Sequence, residues 1–213
     1  MSRAAIIVAS GSSRRMGFDK LAALIDGNPV LWHSARAFSS ISSITQVVVV
    51  TPLERFEWLA DLGEKLHRVD GGKERSDSVN AGLAALNPDI THVAIHDGAR
   101  PLVSPQSITA TFEAAQKTGA AALARRITET LKRSSPEGIT TESVSRENLW
   151  IMETPQIFSC VLIKQAYQKV ASGDAQITDE VSALQLLGQG TTLVENVQPN
   201  PKITVQADLD ALR

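Results

Sequence analysis

The sequence predicts an α/β protein with a largely parallel sheet, right-handed crossovers and helices on both faces. Two observations carry that prediction. Apolar runs of strand length alternate with segments of helical periodicity along most of the chain. Several of the runs lack polar alternation; residues 46–50 contain four consecutive valines, which suits a strand buried on both sides.

Residues 4–9 read as the first strand. Residues 29–38 form a helix that sets Val30, Leu31, Ala35 and Phe38 on one face. The second strand is 46–50, and Thr51-Pro52-Leu53-Glu54 then supplies an N-cap, a first-turn proline and a capping-box acid. Residues 67–70 are a short strand, followed by Gly71-Gly72 and a helix over 76–86. Residues 92–96 are again a buried strand. Ser104-Pro105 opens a helix that runs to about Lys117 and stops at Gly119, and 120–125 is strand-like.

The alternation breaks over residues 128–154. Ser134-Ser135-Pro136-Glu137-Gly138 is a turn signal between polar, β-prone flanks, so the segment reads as a protruding antiparallel hairpin arm. Such an arm buries little surface alone. It is expected to pack on a second subunit, making a homodimer, or otherwise to lie on its own domain. Helices over 159–171 and 178–187, a strand over 191–197 and a brief C-terminal helix complete one domain, 1–213.

Composition narrows the function. With 213 residues, 43% hydrophobic and 21% charged, the chain can bury one sizeable core and is neither disordered nor membrane-spanning. A formal net charge of -2 leaves no global positive field to hold a nucleic-acid backbone. Cys160 is the single cysteine, which excludes an intramolecular disulfide and a cysteine-rich zinc site. The four histidines show no metal-ligand spacing. The N-terminal apolar run is short for a signal-peptide core, so a cytoplasmic protein is expected.

In sheets of this kind ligands bind beyond the carboxyl ends of the strands. The informative loops are therefore 10–20, 71–77 and 97–101. The first combines Ser10, Gly11, Ser12, Ser13, Arg14, Arg15, Gly17 and Lys20, a setting for an anion. It contains neither GxGxxG nor GxxxxGK[ST], so it is not a standard dinucleotide fingerprint or P-loop. A solvated basic loop is the plain alternative.

Ala9-Ser10-Gly11 with Arg15-Met16-Gly17 and Lys20 resembles the signature loop of nucleotidyltransferases with a Rossmann-like fold. Further segments narrow the likeness: residues 70–79 (DGGKERSDSV), 96–101 (HDGARP), 154–158 (TPQIF), 177–180 (ITDE) and 200–204 (NPKIT). Together and in order they resemble the 2-C-methyl-D-erythritol 4-phosphate cytidylyltransferase family of non-mevalonate isoprenoid synthesis.

The resemblance implies a Rossmann-like, mostly parallel sheet and a set of roles. Arg15 and Lys20 contact the triphosphate and stabilise the transition state. Ala9, Ser10, Gly11, Gly72 and Ser78 hold the cytidine and ribose. Asp97 binds Mg²⁺, with Gly98 beside it. Arg100, Thr154, Thr178, Asp179 and Lys202 line the sugar-phosphate site. Thr130 and Arg146, on the arm, reach into the neighbouring subunit's site, where Arg146 joins Lys202 in catalysis. The partners are CTP and a sugar-alcohol phosphate. The chain departs from the family pattern at Ser10, Ser13, Lys73, Gly98 and Glu129.

Elementary chemistry agrees with that cast. A phosphomonoester has a second pKa near ~6, so at neutral pH the nucleophile is already mostly a dianion and needs no general base. The difficulty is bringing two polyanions together, which cations and a metal accomplish. A single hard carboxylate at a strand end suits Mg²⁺. The bland readings are an Asp97 that caps its turn, an Arg100 that only pairs with Asp97, and Thr178-Asp179 as a helix start. Rival functions are a cytidylyltransferase for another polyol phosphate such as ribitol 5-phosphate, a molybdopterin nucleotidyltransferase, and a nucleotide-binding module without catalysis.

Overall fold

A computed structural model describes residues 2–11, 17–173 and 177–212. The elements in chain order are β1 (Ser2–Val8), β2 (Leu24–Ile25), β3 (Asn28–Pro29), α1 (Val30–Ser39), β4 (Ile44–Val50) and α2 (Leu53–Phe56). A 3-10 segment (Glu57–Leu62) leads to β5 (Leu66–Val69), α3 (Arg75–Ala84), β6 (Ile90–Asp97), α4 (Pro105–Thr118) and β7 (Ala120–Arg126). Then come β8 (Leu131–Ser134), β9 (Thr140–Val144), β10 (Trp150–Ser159), α5 (Cys160–Ala171), α6 (Glu180–Gln185), β11 (Thr192–Glu195) and α7 (Gln206–Asp210).

The central sheet has seven strands in the order β11-β7-β10-β6-β1-β4-β5. β1 lies parallel to β4 and β6, β4 to β5, and β11 to β7. Strand alternation divides the core between the two faces. Ala5, Ile7, Val47 and Val49 pack with Leu31 and Phe38 of α1 and with Ile108 and Phe112 of α4. Ala4, Ile6, Val48 and Val50 pack with Val79 and Leu83 of α3, Ile163 of α5 and Leu184 of α6. All four consecutive valines are fully buried, and the run is apolar because both of its faces are covered.

Helix ends follow local chemistry. Ser104 caps α4 by accepting from Ser107 N at 3.1 Å, with Pro105 in the first turn. Gly119 ends it in the left-handed region at φ 85, where its N–H reaches Ala115 O at 2.7 Å.

The chain departs from expectation at the start of α2, where Pro52 holds the N-cap position without a side-chain cap and the Thr51 hydroxyl donates to Ala9 O at 3.4 Å, and at the arm. Residues 150–154 do not belong to the arm. They begin β10, an antiparallel strand between β6 and β7 in the heart of the sheet. A register shift between Met152 and Gln156 lifts the strand from β7 and turns Glu153 and Thr154 toward the sheet's rim. The projecting hairpin is β8–β9 alone, a separate two-stranded sheet with a turn in which Gly138 N donates to Ser135 O at 3.0 Å. Beyond the apolar Leu131–Val144 pair at its base, its cross-strand pairs are polar, with Arg133 Nε on Glu142 Oε1 at 2.6 Å. Among the described residues no helix is long and apolar enough to cross a membrane.

Candidate active site

The carboxyl ends of β1, β4 and β6 meet at one rim. Ala9 follows β1; its N–H donates to Val50 O at 2.9 Å. Ser10 Oγ lies 2.9 Å from Ser78 Oγ at the start of α3, and Gly72 N donates to the same Ser78 hydroxyl at 3.2 Å. The two loops approach so closely at Gly71 that a Cβ there would sit 2.3 Å from Ser10 Cβ. Ala9, Ser10, Gly11, Gly72 and Ser78 thus form one backbone-rich wall. Arg55 braces it: its guanidinium donates to Ala9 O, to Gly11 O at 3.0 Å and to Asp19 Oδ2 at 2.7 Å.

Asp97 ends β6 beside that wall, and its side chain is 12% exposed. Lys202 Nζ stands 2.9 Å from Oδ2, Arg75 Nε 3.4 Å from Oδ1 and Arg100 Nε 3.7 Å from Oδ2. Burial alone would raise the Asp97 carboxyl, but Arg75, Lys202 and Arg100 outweigh it and hold the group well below the usual carboxylate range. The carboxylate is therefore ionised throughout the physiological range and faces three cations.

Arg100 is also anchored to the C-terminal segment through Nη1, which donates to Asn200 O at 2.7 Å. Ile203 N donates to Ala99 O at 2.9 Å, and Lys20 Nζ donates to Ile203 O at 2.6 Å. The segment that carries Lys202 is thereby stitched between Lys20 and the turn after β6. Gly98 serves the scaffold: its N–H donates to Val8 O at 3.0 Å and its carbonyl accepts from Ser34 Oγ at 2.9 Å.

Asp97, Arg100, Lys202 and Arg75 share a cleft of about 180 Å³ with Thr154, Thr178 and Asp179. The Thr154 hydroxyl is committed to the framework. His96 Nε2 lies 3.2 Å from Arg100 O, a pure acceptor, so that nitrogen carries the proton. Nδ1 is then the acceptor for Thr154 Oγ1 at 3.0 Å, while the same hydroxyl oxygen accepts from Asp97 N at 3.1 Å. Asp179 caps α6 by accepting from Ser182 N at 2.9 Å, and its other oxygen accepts from Gln156 Nε2 at 2.8 Å. Thr178 Oγ1 is 3.1 Å from Ser182 Oγ.

His96 is fully buried, and burial pushes its pKa down from 6.5 to about 4. The unfolded chain thus takes up a proton between those values that the folded chain refuses, so stability present above about pH 6.5 is lost as pH falls toward 4. At pH 4.5 this residue alone is expected to cost about 2–3 kcal/mol relative to neutral pH. Denaturant midpoints at the two pH values should show a clearly shallower loss for His96→Gln than for the parent protein. Equal slopes would show that some other group sets the acid sensitivity.

Three residues that sequence reasoning passed over organise the site. Arg75 bridges Asp97 and Glu180, donating to the two Glu180 oxygens at 2.6 and 3.0 Å. Glu180 is fully buried and also accepts from Tyr167 OH at 3.0 Å. Gln156 ties β10 to α6, accepting from Glu180 N at 3.1 Å and donating to Asp179. Arg75 stands inside a quoted motif, but its partner is 105 positions away, beyond local reading. Two predicted residues lie elsewhere. Thr130 is exposed on the arm, and Arg146, also exposed, donates to Thr128 O at the arm's base; neither lines the cleft of its own chain. Arg15 lies outside the described residues.

Comparison with known proteins matches this geometry to one family. The family model described as 2-C-methyl-D-erythritol 4-phosphate cytidylyltransferase matches residues 3–212. A protein of that name from Pelotomaculum thermopropionicum is 38% identical, the match covering 97% of this chain and 90% of that one. The crystal structure of the Francisella tularensis protein of that name superposes with a TM-score of 0.85 at 28% identity, over 99% of this chain and 98% of that one. The structure from Thermus thermophilus gives 0.84 at 28% identity, over 100% and 97%. The chain belongs to the 2-C-methyl-D-erythritol 4-phosphate cytidylyltransferase family.

Proposed function

We infer that the chain performs the reaction of its family: it joins CTP to 2-C-methyl-D-erythritol 4-phosphate, releasing pyrophosphate. A phosphate oxygen of the polyol attacks the α-phosphorus of CTP. A new P–O bond forms, the bond to the bridging α–β oxygen breaks, and the electron pair leaves with pyrophosphate. The observation that carries this reading is the cluster of Arg75, Arg100 and Lys202 around a buried, ionised Asp97 at the end of β6.

The wall from Ala9 to Gly11 with Gly72 and Ser78 holds the cytidine and ribose, offering backbone groups to a pyrimidine edge. Lys20 and Arg15 meet the triphosphate. Lys202 and Arg100 hold the incoming phosphate in line, with Thr154, Thr178 and Asp179 shaping the pocket around the polyol. Excess positive charge lowers the repulsion between the two anions, which is the main barrier to their approach.

Asp97 fits Mg²⁺ as a sole protein ligand. Its carboxylate is ionised, and among the described residues Oδ1 has only a long 3.4 Å contact to Arg75. Mg²⁺ takes one or two carboxylates and fills the remaining positions with water and phosphate oxygens. When bound, the ion would neutralise triphosphate charge. The β8–β9 arm, with its polar faces and small area, is the dimerisation element in this reading and carries Thr130 and Arg146 to the partner's site. The single free cysteine accords with a cytoplasmic enzyme.

Pyrophosphate release tests the reading. It should require CTP, Mg²⁺ and methylerythritol phosphate together, and fall sharply when ATP, GTP or UTP replaces CTP. Turnover with ribitol 5-phosphate but not methylerythritol phosphate would overturn the substrate assignment. Ligand binding without turnover would favour a non-catalytic module.

A further inference from the structure

One wall of the cleft carries a carboxylate that the phosphate chemistry does not use. Glu153, in the distorted part of β10, is 4% exposed and lines the same cleft as Asp97 and Lys202. Its two oxygens differ. Oε2 accepts from Asn196 Nδ2 at 2.8 Å and from Asn200 Nδ2 at 3.1 Å. Oε1 accepts no hydrogen bond among the described residues; the nearest cation is Arg125 Nε at 3.9 Å, beyond bonding distance. The two asparagines lock the side chain, and the locked geometry leaves one oxygen available.

Among the described residues three carboxylates line this cleft, and the other two have a cation or hydrogen-bond partner at each oxygen. Asp97 faces Arg75 and Lys202, and both oxygens of Asp179 accept hydrogen bonds within the helix cap and from Gln156. The Thr154 proton goes to His96, and Gln156 Oε1 accepts from Glu180 N and Val181 N. Among the described residues of the lining, Glu153 Oε1 is thus the charged acceptor left without a hydrogen bond. Burying a carboxylate costs free energy that two amide contacts and a distant arginine recover only in part. A carboxylate repels phosphate, so its counterpart is a donor. The cleft has a cationic end around Arg75, Arg100 and Lys202 and an acceptor at Glu153, which matches a molecule with phosphate at one end and hydroxyl groups at the other.

We propose that Glu153 Oε1 reads the hydroxyl groups of the polyol phosphate, accepting hydrogen bonds that an alkyl phosphate cannot offer, and so determines specificity for a polyol. This rests on the substrate class given under Proposed function. The loss on removing it is large because a buried polar group selects strongly against a ligand that leaves it unpaired.

Turnover of the parent enzyme with methylerythritol phosphate tests the underlying reading by itself. Calorimetry of methylerythritol phosphate and of n-butyl phosphate, which has no hydroxyl, tests Glu153. In the parent protein the polyol should bind far more tightly. Glu153→Leu should weaken polyol binding by about 10–100-fold, leave butyl phosphate binding unchanged or tighter because the unpaired acceptor is gone, and keep CTP affinity near its original value. Glu153→Gln, which keeps the shape and one carbonyl, should recover part of the preference. Arg125→Ala should retain it. An unchanged polyol-to-butyl ratio in both Glu153 variants overturns the proposal. A loss in Arg125→Ala equal to that in Glu153→Leu also overturns it, by making Glu153 an ion-pair partner only. If Glu153→Leu melts early because Asn196 and Asn200 lose their acceptor, the ratio in Glu153→Gln decides, with parental preference counting against the proposal.

Discussion

Replacing Asp97 with asparagine is expected to lower kcat by about 10²–10³, the scale of losing one preorganised electrostatic group. The same change should leave KM for methylerythritol phosphate unchanged or lower. Asp97 sits among Arg75, Arg100 and Lys202, so removing its charge adds to the positive field that attracts the substrate phosphate. Ground-state attraction thereby improves while the anchor for the cations, and for the proposed Mg²⁺, disappears. A purely structural aspartate would give the opposite pattern, with folded protein lost and kcat per folded molecule kept. Steady-state kinetics on material matched for Tm decides between them, and a parental kcat would remove Asp97 from the mechanism. The pH profile gives a second handle. Asp97 stays ionised well into acid because its three cations outweigh burial. The acid limb of kcat/KM in the parent enzyme should therefore report the substrate phosphate, near ~6, and not this carboxylate.

The sequence makes the parallel half of the sheet legible because its strands are buried on both faces. Val47 to Val50 must be apolar at every position when helices cover both sides, so the run is visible without knowledge of its neighbours. β10 fails that test. Glu153, Thr154 and Gln156 are almost fully buried, yet they are polar, and a proline stands among them. Their burial is tolerated through partners such as Asn196, Asn200, His96 and Asp179, which come from distant parts of the chain. A local pattern cannot register such compensation, so residues 150–154 read as part of the arm.

The site divides along the same line. Asp97, Arg100 and Lys202 are recognisable because each stands in a compact motif at a loop, and the fold brings them together. Asp179 and Thr178 read as a helix start, and Asp179 is one; it reaches the cleft while capping α6. Arg75 escapes notice because its importance lies in bridging a buried Glu180 to Asp97, a relation between β6, α3 and α6. Glu153 escapes for the same reason as β10 itself.

Lys202→Ala is the second substitution expected to be severe, with kcat/KM falling by about 10²–10³. Lys202 Nζ stands 2.9 Å from Asp97 on a segment fixed by Lys20 and Ala99, so its ammonium sits at the cationic end of the cleft. When it turns to a substrate phosphate, Asp97 retains a neighbour in Arg100, whose buried Nε makes no hydrogen bond among the described residues and lies 3.7 Å away. Deleting the lysine removes the transferable charge and leaves that reserve without use. Arg146→Ala should be similarly impaired if the arm serves the partner's site, although Arg146 is exposed and outside its own cleft. Mixing the two inactive variants then separates the architectures. In a mixed dimer built from shared parts, one site pairs an intact Lys202 with an intact Arg146 and the other lacks both, so part of the activity returns. With sites built within one chain, every site in the mixture carries one lesion and activity stays at the level of the separate variants.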